Sequence, residues 1–246
     1  MSRLIDKAVD ISELGQRNLW VIWGKSGTGK TKIGSSFPKP MLYIQIGDDG
    51  SNTIAGVEGI KAVRVDTIDE LKTMGEELLK DKKYKSVLVD TFSMITNEWI
   101  DTNIVQKKKR MTQNDWGVLK IATEELIKIY HKVALNHIVI LTCHESNDSI
   151  EGMEDEILPD MRPSVTKGAR TYLEGMANYG IHTTKLKKTI VSKKTGEEKE
   201  VVKYAAHLGA NPYYWTKLQI SPDIKVPEIV FNPTYKSLLK IIEGGE

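Results

Sequence analysis

Residues 24–31 read Gly-Lys-Ser-Gly-Thr-Gly-Lys-Thr, an octapeptide whose residue types suit the binding of a polyphosphate. The glycines allow backbone conformations in which successive N–H groups point inward at an anion. Lys30 brings a positive charge to the β- and γ-phosphates, and the Thr31 hydroxyl can bind the Mg²⁺ that bridges them. This Walker A pattern predicts binding of a nucleoside triphosphate. Its phosphate-binding residues are Gly24, Lys25, Ser26, Gly27, Thr28, Gly29, Lys30 and Thr31.

The residues on either side of this loop fit the elements that must position it. Residues 18–23, Asn-Leu-Trp-Val-Ile-Trp, form a short apolar run suited to a buried strand. Residues 31–36 can begin a helix whose amino-terminal N–H groups face the anion. Strand, glycine-rich loop and helix in this order favour a phosphate site over a turn without a ligand.

A carboxylate sixty residues after Lys30 (90 minus 30) could complete a metal site. The segment Ser86-Val87-Leu88-Val89-Asp90 is apolar and ends in an aspartate, as a Walker B strand does. We expect Asp90 to hold Mg²⁺ opposite Thr31. An ordinary carboxylate at a strand end is the alternative.

Hydrolysis also needs a group that orients or activates water. Thr91 follows the strand-end aspartate, so this group does not come from the adjacent position. Asp48 and Asp49 follow the apolar run 41–46. Either could lie near the γ-phosphate if that strand neighbours the one that ends in the aspartate. A solvated Asp-Gly turn is the alternative.

Two polar residues leave the apolar run 138–143. His144 could sense the γ-phosphate and pass its presence to the following segment, although a histidine at a strand end is commonly structural. Glu145 is a second candidate for activating water. Cys143, the single cysteine, is expected to be a small buried hydrophobic residue, and its lack of a partner is typical of a reducing cytoplasm.

Apolar runs alternate with helical periodicity, which is typical of an α/β fold with a mostly parallel sheet flanked by helices. The expected strands cover residues 19–23, 41–46, 61–65, 86–90, 137–143 and 178–184. The expected helices cover residues 30–36, 68–80, 92–105 and 115–134. The segment 145–168, acidic at first, shows no regular pattern and is expected to be a long loop, either functional or mobile.

The pattern changes towards the carboxyl terminus. Residues 189–194 and 199–208 are expected to form an antiparallel hairpin around Thr195-Gly196. A short helix is expected after Asn232-Pro233-Thr234. We therefore expect a single P-loop NTPase domain over residues 1–246, with a core at about 17–184 and the hairpin and helix in 185–246.

The net charge of +2 is too small to require an anionic partner, so an argument for nucleic-acid binding rests on local patches. A basic run with a nearby aromatic residue could bind phosphates and stack a base: Lys107, Lys108, Lys109, Arg110 and Trp116. The segment 185–203 holds seven lysines and three glutamates. Further candidates are Arg162, Lys167 and Arg170. A solvated charged surface is the alternative for each patch.

Composition sets wider limits. With 40% hydrophobic and 28% charged residues, the chain can form an ample core. The first residues lack the apolar stretch of a secretion signal, and no apolar run approaches the length of a membrane span. We expect a cytoplasmic protein without a membrane partner.

The order of the P-loop strand, Val-Leu-Val-Asp-Thr at 87–91 and Ile-Leu-Thr-Cys-His-Glu at 140–145 resembles the RecA-type ATPase core. More specifically, the chain is similar to small phage nucleotide-binding proteins described as AAA-family ATPases, which include the Sak-type single-strand annealing ATPases. The resemblance covers about residues 17–240. It includes residues 30–60 and the stretch Asn-Pro-Tyr-Tyr-Trp-Thr-Lys at 211–217.

The resemblance implies an ATPase with ATP and Mg²⁺ as cofactors, acting on single-stranded DNA in phage recombination or replication in the host cytoplasm. It implies self-association into a ring or filament, and contacts with other phage recombination or replication proteins. Lys217 matches a late-strand basic residue that reaches the γ-phosphate of a neighbouring subunit, and Leu218 stands where a second often occurs. The glutamate that commonly ends the second strand as catalytic base is replaced by Gly47-Asp48-Asp49.

Two other functions compete with a DNA-stimulated ATPase. The missing glutamate is compatible with a nucleotide-gated scaffold, an oligomer that assembles in response to ATP with little hydrolysis. A small-molecule or nucleoside kinase shares the P-loop, but the sequence has no recognisable acceptor-binding motif.

Overall fold

The computed structural model describes residues 8–10, 17–47, 50–151, 157–191 and 198–245. The strands are β1 Leu19–Gly24, β2 Met41–Gln45, β3 Ile60–Arg64, β4 Ser86–Asp90, β5 Ile138–Cys143, β6 Glu145–Glu151, β7 Ile157–Pro163, β8 Tyr179–Val191, β9 Glu198–His207, β10 Lys217–Leu218 and β11 Ile229–Phe231. The helices are α1 Lys30–Gly34, α2 Ile68–Leu78, α3 Met94–Ile100, α4 Gln113–Val133, α5 Lys167–Met176 and α6 Tyr235–Ile242. A 3₁₀ turn covers Ser51–Thr53, and a π-helical segment, Asp101–Val105, continues α3.

Nine strands form one mixed, mostly parallel sheet in the order β11-β9-β8-β1-β5-β4-β2-β3, with β10 paired to β8. The strands from β8 to β3 run parallel, while β9, β10 and β11 pair antiparallel. Parallel strands bring their carboxyl ends to one edge of the sheet, which we call the carboxyl edge. Gly24, Asp90 and Cys143 therefore end their strands at the same edge. The predicted α/β fold is confirmed.

Strand β1 shows why the sheet lies between two layers of helices. All six of its residues are buried, as expected for a parallel strand covered on both faces. Alternate side chains point to opposite faces. Val21 belongs to the core cluster that includes residues of α2, α4 and α5, whereas Ile22 belongs to the cluster that includes residues of α1 and α6. Each large aliphatic side chain buried in this way contributes about 1.5–3 kcal/mol.

The boundaries predicted from sequence agree to within a few residues for β1 to β5 and for the first four helices, whereas β8, predicted over 178–184, extends to Val191. At α2 the Thr67 side chain accepts from the N–H of Glu70, whose carboxylate accepts from the N–H of Thr67, so the capping box is present. The short terminal helix begins after Thr234 as expected. Among the described helices, none has both the length and the apolar character needed to cross a bilayer.

Two predictions about the later part of the chain are wrong. Much of the segment 145–168 is not a loop, because β6 and β7 pair antiparallel from Glu145↔Pro163 to Glu151↔Ile157. Its polar residues gave no alternating apolar signal, and the ladder of backbone hydrogen bonds decided the structure instead. The first hairpin strand is also not separate, since β8 runs without a break from Tyr179 to Val191.

Strand β8 is longer than its parallel neighbour. Gly24, the last residue of β1, lies opposite Thr183 of β8. The remaining eight residues of β8, 184–191, extend the β8–β9 pair by about 26 Å beyond that point. Because β9 and β11 belong to the main sheet, the hairpin is continuous with it. The single-domain organisation stays a prediction.

Candidate nucleotide site

The loop between β1 and α1 has the backbone geometry of a phosphate cradle. Gly27 and Gly29 have φ values of 74° and 90°, a backbone region that residues with a Cβ atom rarely adopt. The Thr28 hydroxyl donates to the carbonyl of Lys25 at 2.8 Å and shares a hydrogen bond of 2.7 Å with the hydroxyl of Thr183. The hydrogen bond between Thr28 and Thr183 thereby fixes the loop to β8.

The ammonium of Lys30 lies across this cradle. Its Nζ donates to the carbonyls of Gly24 at 2.9 Å and Lys25 at 2.8 Å, and the residue is 6% exposed. Burial lowers the pKa of Lys30, and the nearby Asp90 opposes that shift. A buried ammonium with anionic partners close by is stabilised further by a polyphosphate in the cradle.

Asp90 and Thr31 meet at the carboxyl edge. The Thr31 hydroxyl donates to Oδ2 of Asp90 at 2.8 Å, and the Tyr43 hydroxyl donates to the same oxygen at 3.1 Å. The Thr91 hydroxyl donates to Oδ1 at 3.2 Å, and Thr142 also donates to Oδ1. The hydroxyl and the carboxylate are hard oxygen ligands of the kind Mg²⁺ prefers, so this pair fits the ion. Strand β5 lies between β1 and β4, so the loop after β1 must cross the end of β5 to bring Thr31 to Asp90.

A cleft of about 420 Å³ opens above the cradle. Asp90 and His144 line it on the side of β4 and β5, and Tyr204 of β9 lines it on the opposite side of β1. Sequence reasoning missed Tyr204. It stands 175 positions after Gly29 (204 minus 29), and only the pairing of β9 with β8 brings the two together.

A family model described as an AAA domain matches residues 17–207, which is 191 of the 246 residues. The chain belongs to the AAA domain family. No curated protein matches the sequence. Membership in this family indicates a nucleotide-binding ATPase, and such ATPases generally bind ATP with Mg²⁺.

The aspartates considered for activating water in this AAA domain, Asp48 and Asp49, lie outside the described residues. Their neighbourhood is described. Strands β2 and β4 are adjacent, with Gln45 opposite Asp90. The strand that precedes the two aspartates is therefore a neighbour of the strand that ends in Asp90, as their role near the γ-phosphate requires. A side chain at Gly50 would collide with that of Thr31, so Gly50 lies directly against the Thr31 hydroxyl. The catalytic role of the two aspartates stays a prediction.

His144 lines the cleft of the AAA domain, and its backbone N–H donates to the Ser93 hydroxyl at 2.9 Å. Burial and the adjacent Lys30 lower the pKa of His144, while Asp90 opposes the shift. The side chain therefore reaches the cleft as a neutral imidazole at neutral pH. That state suits a hydrogen bond to a phosphate oxygen, but the sensing role stays a prediction.

The carboxylate of Glu145 is engaged elsewhere. His182 Nε2 lies 2.8 Å from Oε2 of Glu145, and Nζ of Lys25 lies 3.9 Å from Oε1. The side chains of Glu145 and His182 are 8% and 4% exposed. The His182 ring lies against Trp23 and Tyr214, with centroids 4.3 and 4.6 Å apart. Glu145 thus connects the phosphate loop to β8 rather than lining the described cleft wall.

Lys217 lies away from the cleft of its own AAA domain. In β10 it pairs with Gly180 of β8, three residues before the level of the cradle, a distance of about 10 Å along the strand. Its Nζ donates to the carbonyls of Glu174 at 3.0 Å and Gly175 at 2.9 Å. Burial lowers the pKa of Lys217, opposed by Glu174. Lys217 does not line the described cleft, and its contact with the triphosphate of a neighbouring subunit stays a prediction.

The candidate DNA-binding residues divide into two groups. Residues 107–110 are all exposed, and Trp116 near the start of α4 is 49% exposed. Lys167 is exposed at the start of α5. By contrast, Arg162 pairs with Asp160 at 2.6 Å, and Arg170 donates to the hydroxyl of Ser146 at 3.0 Å. The two arginines are already engaged within the fold.

Cys143 ends β5 as a buried residue. Burial raises the pKa of its thiol to about 12. The prediction of a small hydrophobic residue in the core is confirmed.

Proposed function

We propose that the protein hydrolyses ATP with Mg²⁺ and couples this reaction to single-stranded DNA in recombination or replication, in the manner of a phage strand-annealing ATPase. The observation that carries the proposal is the meeting of Lys30, Thr31 and Asp90 in one cleft at the carboxyl edge. Lys30 binds the β- and γ-phosphates, and Thr31 with Asp90 would hold Mg²⁺, which when bound neutralises developing charge on the transferred phosphoryl group.

Water attack on the γ-phosphoryl group needs an orienting residue near Asp90 and His144. Asp48 or Asp49 is proposed for this role, because the described residues on both sides of them border the cleft or contact its walls. Glu145 is a weaker candidate, since His182 and Lys25 already occupy its carboxylate.

The DNA part of the proposal is supported by charge and position. Helix α4 leads into β5, which starts at the opposite edge, so the amino end of α4 lies towards the carboxyl edge. The exposed basic residues 107–110 and Trp116 stand at that end. Lysines can bind phosphates there while the indole stacks on a base. His144 leads directly into the β6–β7 ribbon, which offers a route from the cleft to a DNA-binding surface.

Self-association into a ring or filament is proposed from the placement of Lys217. Its ammonium now satisfies two backbone carbonyls at the end of α5 and cannot serve its own cleft. A neighbouring subunit's triphosphate would be a stronger partner for it.

The test is ATP turnover with and without single-stranded DNA, on the wild type, on Lys30→Ala and on the surface control Lys120→Ala. We expect DNA to raise turnover in the wild type and the control, and Lys30→Ala to abolish it. Absence of DNA binding at low salt, with or without ATP, would reject the coupling to DNA.

A nucleotide-gated scaffold is the second candidate. The observation that favours it is the exposure of apolar side chains beside the basic run, Val105 at 59%, Val118 at 47% and Ile121 at 59%. Such side chains are suited to contact another protein surface. Assembly that responds to ATP while turnover stays at background would favour this function.

A further inference from the structure

The nucleotide cleft has two chemically different ends. Asp90 and His144 stand on the side of β4 and β5. On the other side of β1 the wall is the aromatic ring of Tyr204, in the strand second from β1 in the sheet order. The first end can bind Mg²⁺ and a terminal phosphate. The second end offers a flat apolar surface.

The polarity of a bound triphosphate follows from this arrangement. Lys30 would contact the β- and γ-phosphates. Thr31 and Asp90, which are hydrogen-bonded to each other and are the proposed Mg²⁺ ligands, would hold the γ end on the β4 side. The α-phosphate and the nucleoside must then leave the cradle away from Asp90. Tyr204 is the aromatic residue that lines the cleft in this direction, among the residues that the structure describes.

The ring of Tyr204 is in direct reach of the phosphate loop. A methyl group placed on Gly29 would lie 3.1 Å from Cδ1 and 3.5 Å from Cγ of the ring. Gly29 directly precedes Lys30, so the ring borders the cradle where helix α1 begins. Because Gly29 has no side chain, the ring can lie this close to the loop backbone.

The backbone of Tyr204 is held firmly. Its N–H donates to Oδ1 of Asn232 at 3.3 Å, and its carbonyl accepts from the N–H of Asn232 at 2.7 Å. It also lies opposite Lys185 in the β8–β9 ladder. The residue is half-buried, and within the described chain its hydroxyl has no hydrogen-bond partner. A fixed ring with one open side is suited to stacking rather than to supporting the fold through its hydroxyl.

We propose that Tyr204 is the base-binding residue of this site, and that its ring stacks on the nucleobase of the triphosphate bound at Lys30. This inference rests on the proposed nucleotide-binding function and adds a specificity-determining residue to it. Stacking on the aromatic ring requires a nucleobase, so it adds no affinity for a polyphosphate that has no base. Stacking on Tyr204 would also place the base against the lysine-rich β8–β9 hairpin, so that a bound nucleotide contacts the hairpin directly.

The test compares two ligands with three phosphates each, the Mg²⁺ complexes of β,γ-imido-ATP and of inorganic tripolyphosphate, by calorimetry. The variants are Tyr204→Ala, Tyr204→Leu and Tyr204→Phe, with Tyr213→Ala as a matched control because Tyr213 is 44% exposed outside the cleft. Leucine keeps apolar bulk beside Gly29 if the alanine variant folds poorly. Lys30→Ala reports on the cradle itself.

We expect Tyr204→Ala and Tyr204→Leu to weaken binding of the nucleotide analogue about 10-fold or more, with tripolyphosphate binding unchanged. Tyr204→Phe and Tyr213→Ala should bind as the wild type does. Equal weakening of both ligands would overturn the proposal, because the ring would then only shape the loop. Unchanged nucleotide binding would overturn it too. A wild type that binds neither ligand would reject the nucleotide site itself, and a wild type that binds both equally would reject base recognition alone.

Discussion

The hydroxyl of Thr31 donates a 2.8 Å hydrogen bond to Oδ2 of Asp90, joining the start of helix α1 to the end of strand β4 across 59 positions of sequence. Strands β1 and β4 do not touch, because β5 lies between them. The phosphate loop bridges that gap and brings the hydroxyl to the carboxylate. This contact places the two proposed Mg²⁺ ligands side by side, and the prediction for Asp90→Asn depends on it.

Replacing Lys30 by alanine should weaken binding of Mg-ATP by about 10- to 100-fold or more, because a buried charge-assisted contact to the phosphates is lost. Calorimetric titration measures the effect. Lys120→Ala, on the surface of α4, should leave affinity unchanged. Retained affinity in Lys30→Ala would contradict a triphosphate in the cradle.

Asp90→Asn should reduce ATP turnover by at least about 100-fold, because the amide is a poor ligand for Mg²⁺. ADP binding in the absence of Mg²⁺ should be almost unaffected, since Lys30 and the loop N–H groups remain. The exposed Asp66→Asn serves as control. If Asp90→Asn lowered metal-free ADP binding as much as turnover, its role would be to hold the loop rather than the ion.

Glu145→Gln separates positioning from water activation. Because Glu145 is bonded to His182, we expect turnover to fall less than about tenfold, while the free energy of unfolding falls by about 1–2 kcal/mol. A double-mutant cycle with His182→Gln, by urea denaturation, measures the coupling between the two residues. Abolished turnover with unchanged stability would instead make Glu145 the water-activating residue.

Stability should decrease as the pH falls below about 6.5, the ordinary pKa of histidine in an unfolded chain. Burial lowers the pKa of four histidines in the folded protein: His131, His144, His182 and His207. At pH values between the lowered pKa of the folded protein and the ordinary pKa of the unfolded chain, the unfolded chain binds more protons. The free energy of unfolding therefore decreases as the pH decreases through this range. An excess of one proton corresponds to about 1.4 kcal/mol per pH unit.

Urea denaturation midpoints at pH 7.5 and 5.5 measure this loss. The variant His131→Gln removes one of the four groups and should reduce the difference between the two midpoints. Glu174, whose pKa burial raises above that of an ordinary carboxyl, acts in the opposite direction at lower pH. A midpoint that rises towards pH 5.5 would contradict the prediction.

If residues 107–110 bind DNA phosphates, removing two charges there should flatten the salt dependence of binding. Each phosphate contact on single-stranded DNA contributes about 0.7 to the slope of log K against log salt. In the double variant Lys107→Gln with Lys109→Gln, which removes two contacts, the magnitude of this slope should therefore decrease by about 1.4. Fluorescence anisotropy with single-stranded DNA at several salt concentrations measures it. The exposed pair Lys61→Gln with Lys80→Gln is the control, and an equal effect there would show non-specific attraction.

The sequence by itself determined the phosphate loop, the strand that ends in Asp90 and the positions of most of the parallel strands along the chain. These features are local. Gly27 and Gly29 mark backbone positions with positive φ, and an apolar run followed by Asp90 marks a buried strand that ends at a polar edge. Capping at Thr67 is local for the same reason, because it involves residues three positions apart.

Only the tertiary structure decided which side chains share the cleft and which are used elsewhere. Glu145 and His182 are 37 positions apart, and their contact depends on how β8 pairs with β1. Tyr204 reaches Gly29 only because β9 pairs with β8 in one register. A shift of one residue would turn its side chain to the other face of the sheet. Pairing between distant strands is not encoded in the pattern of either strand alone.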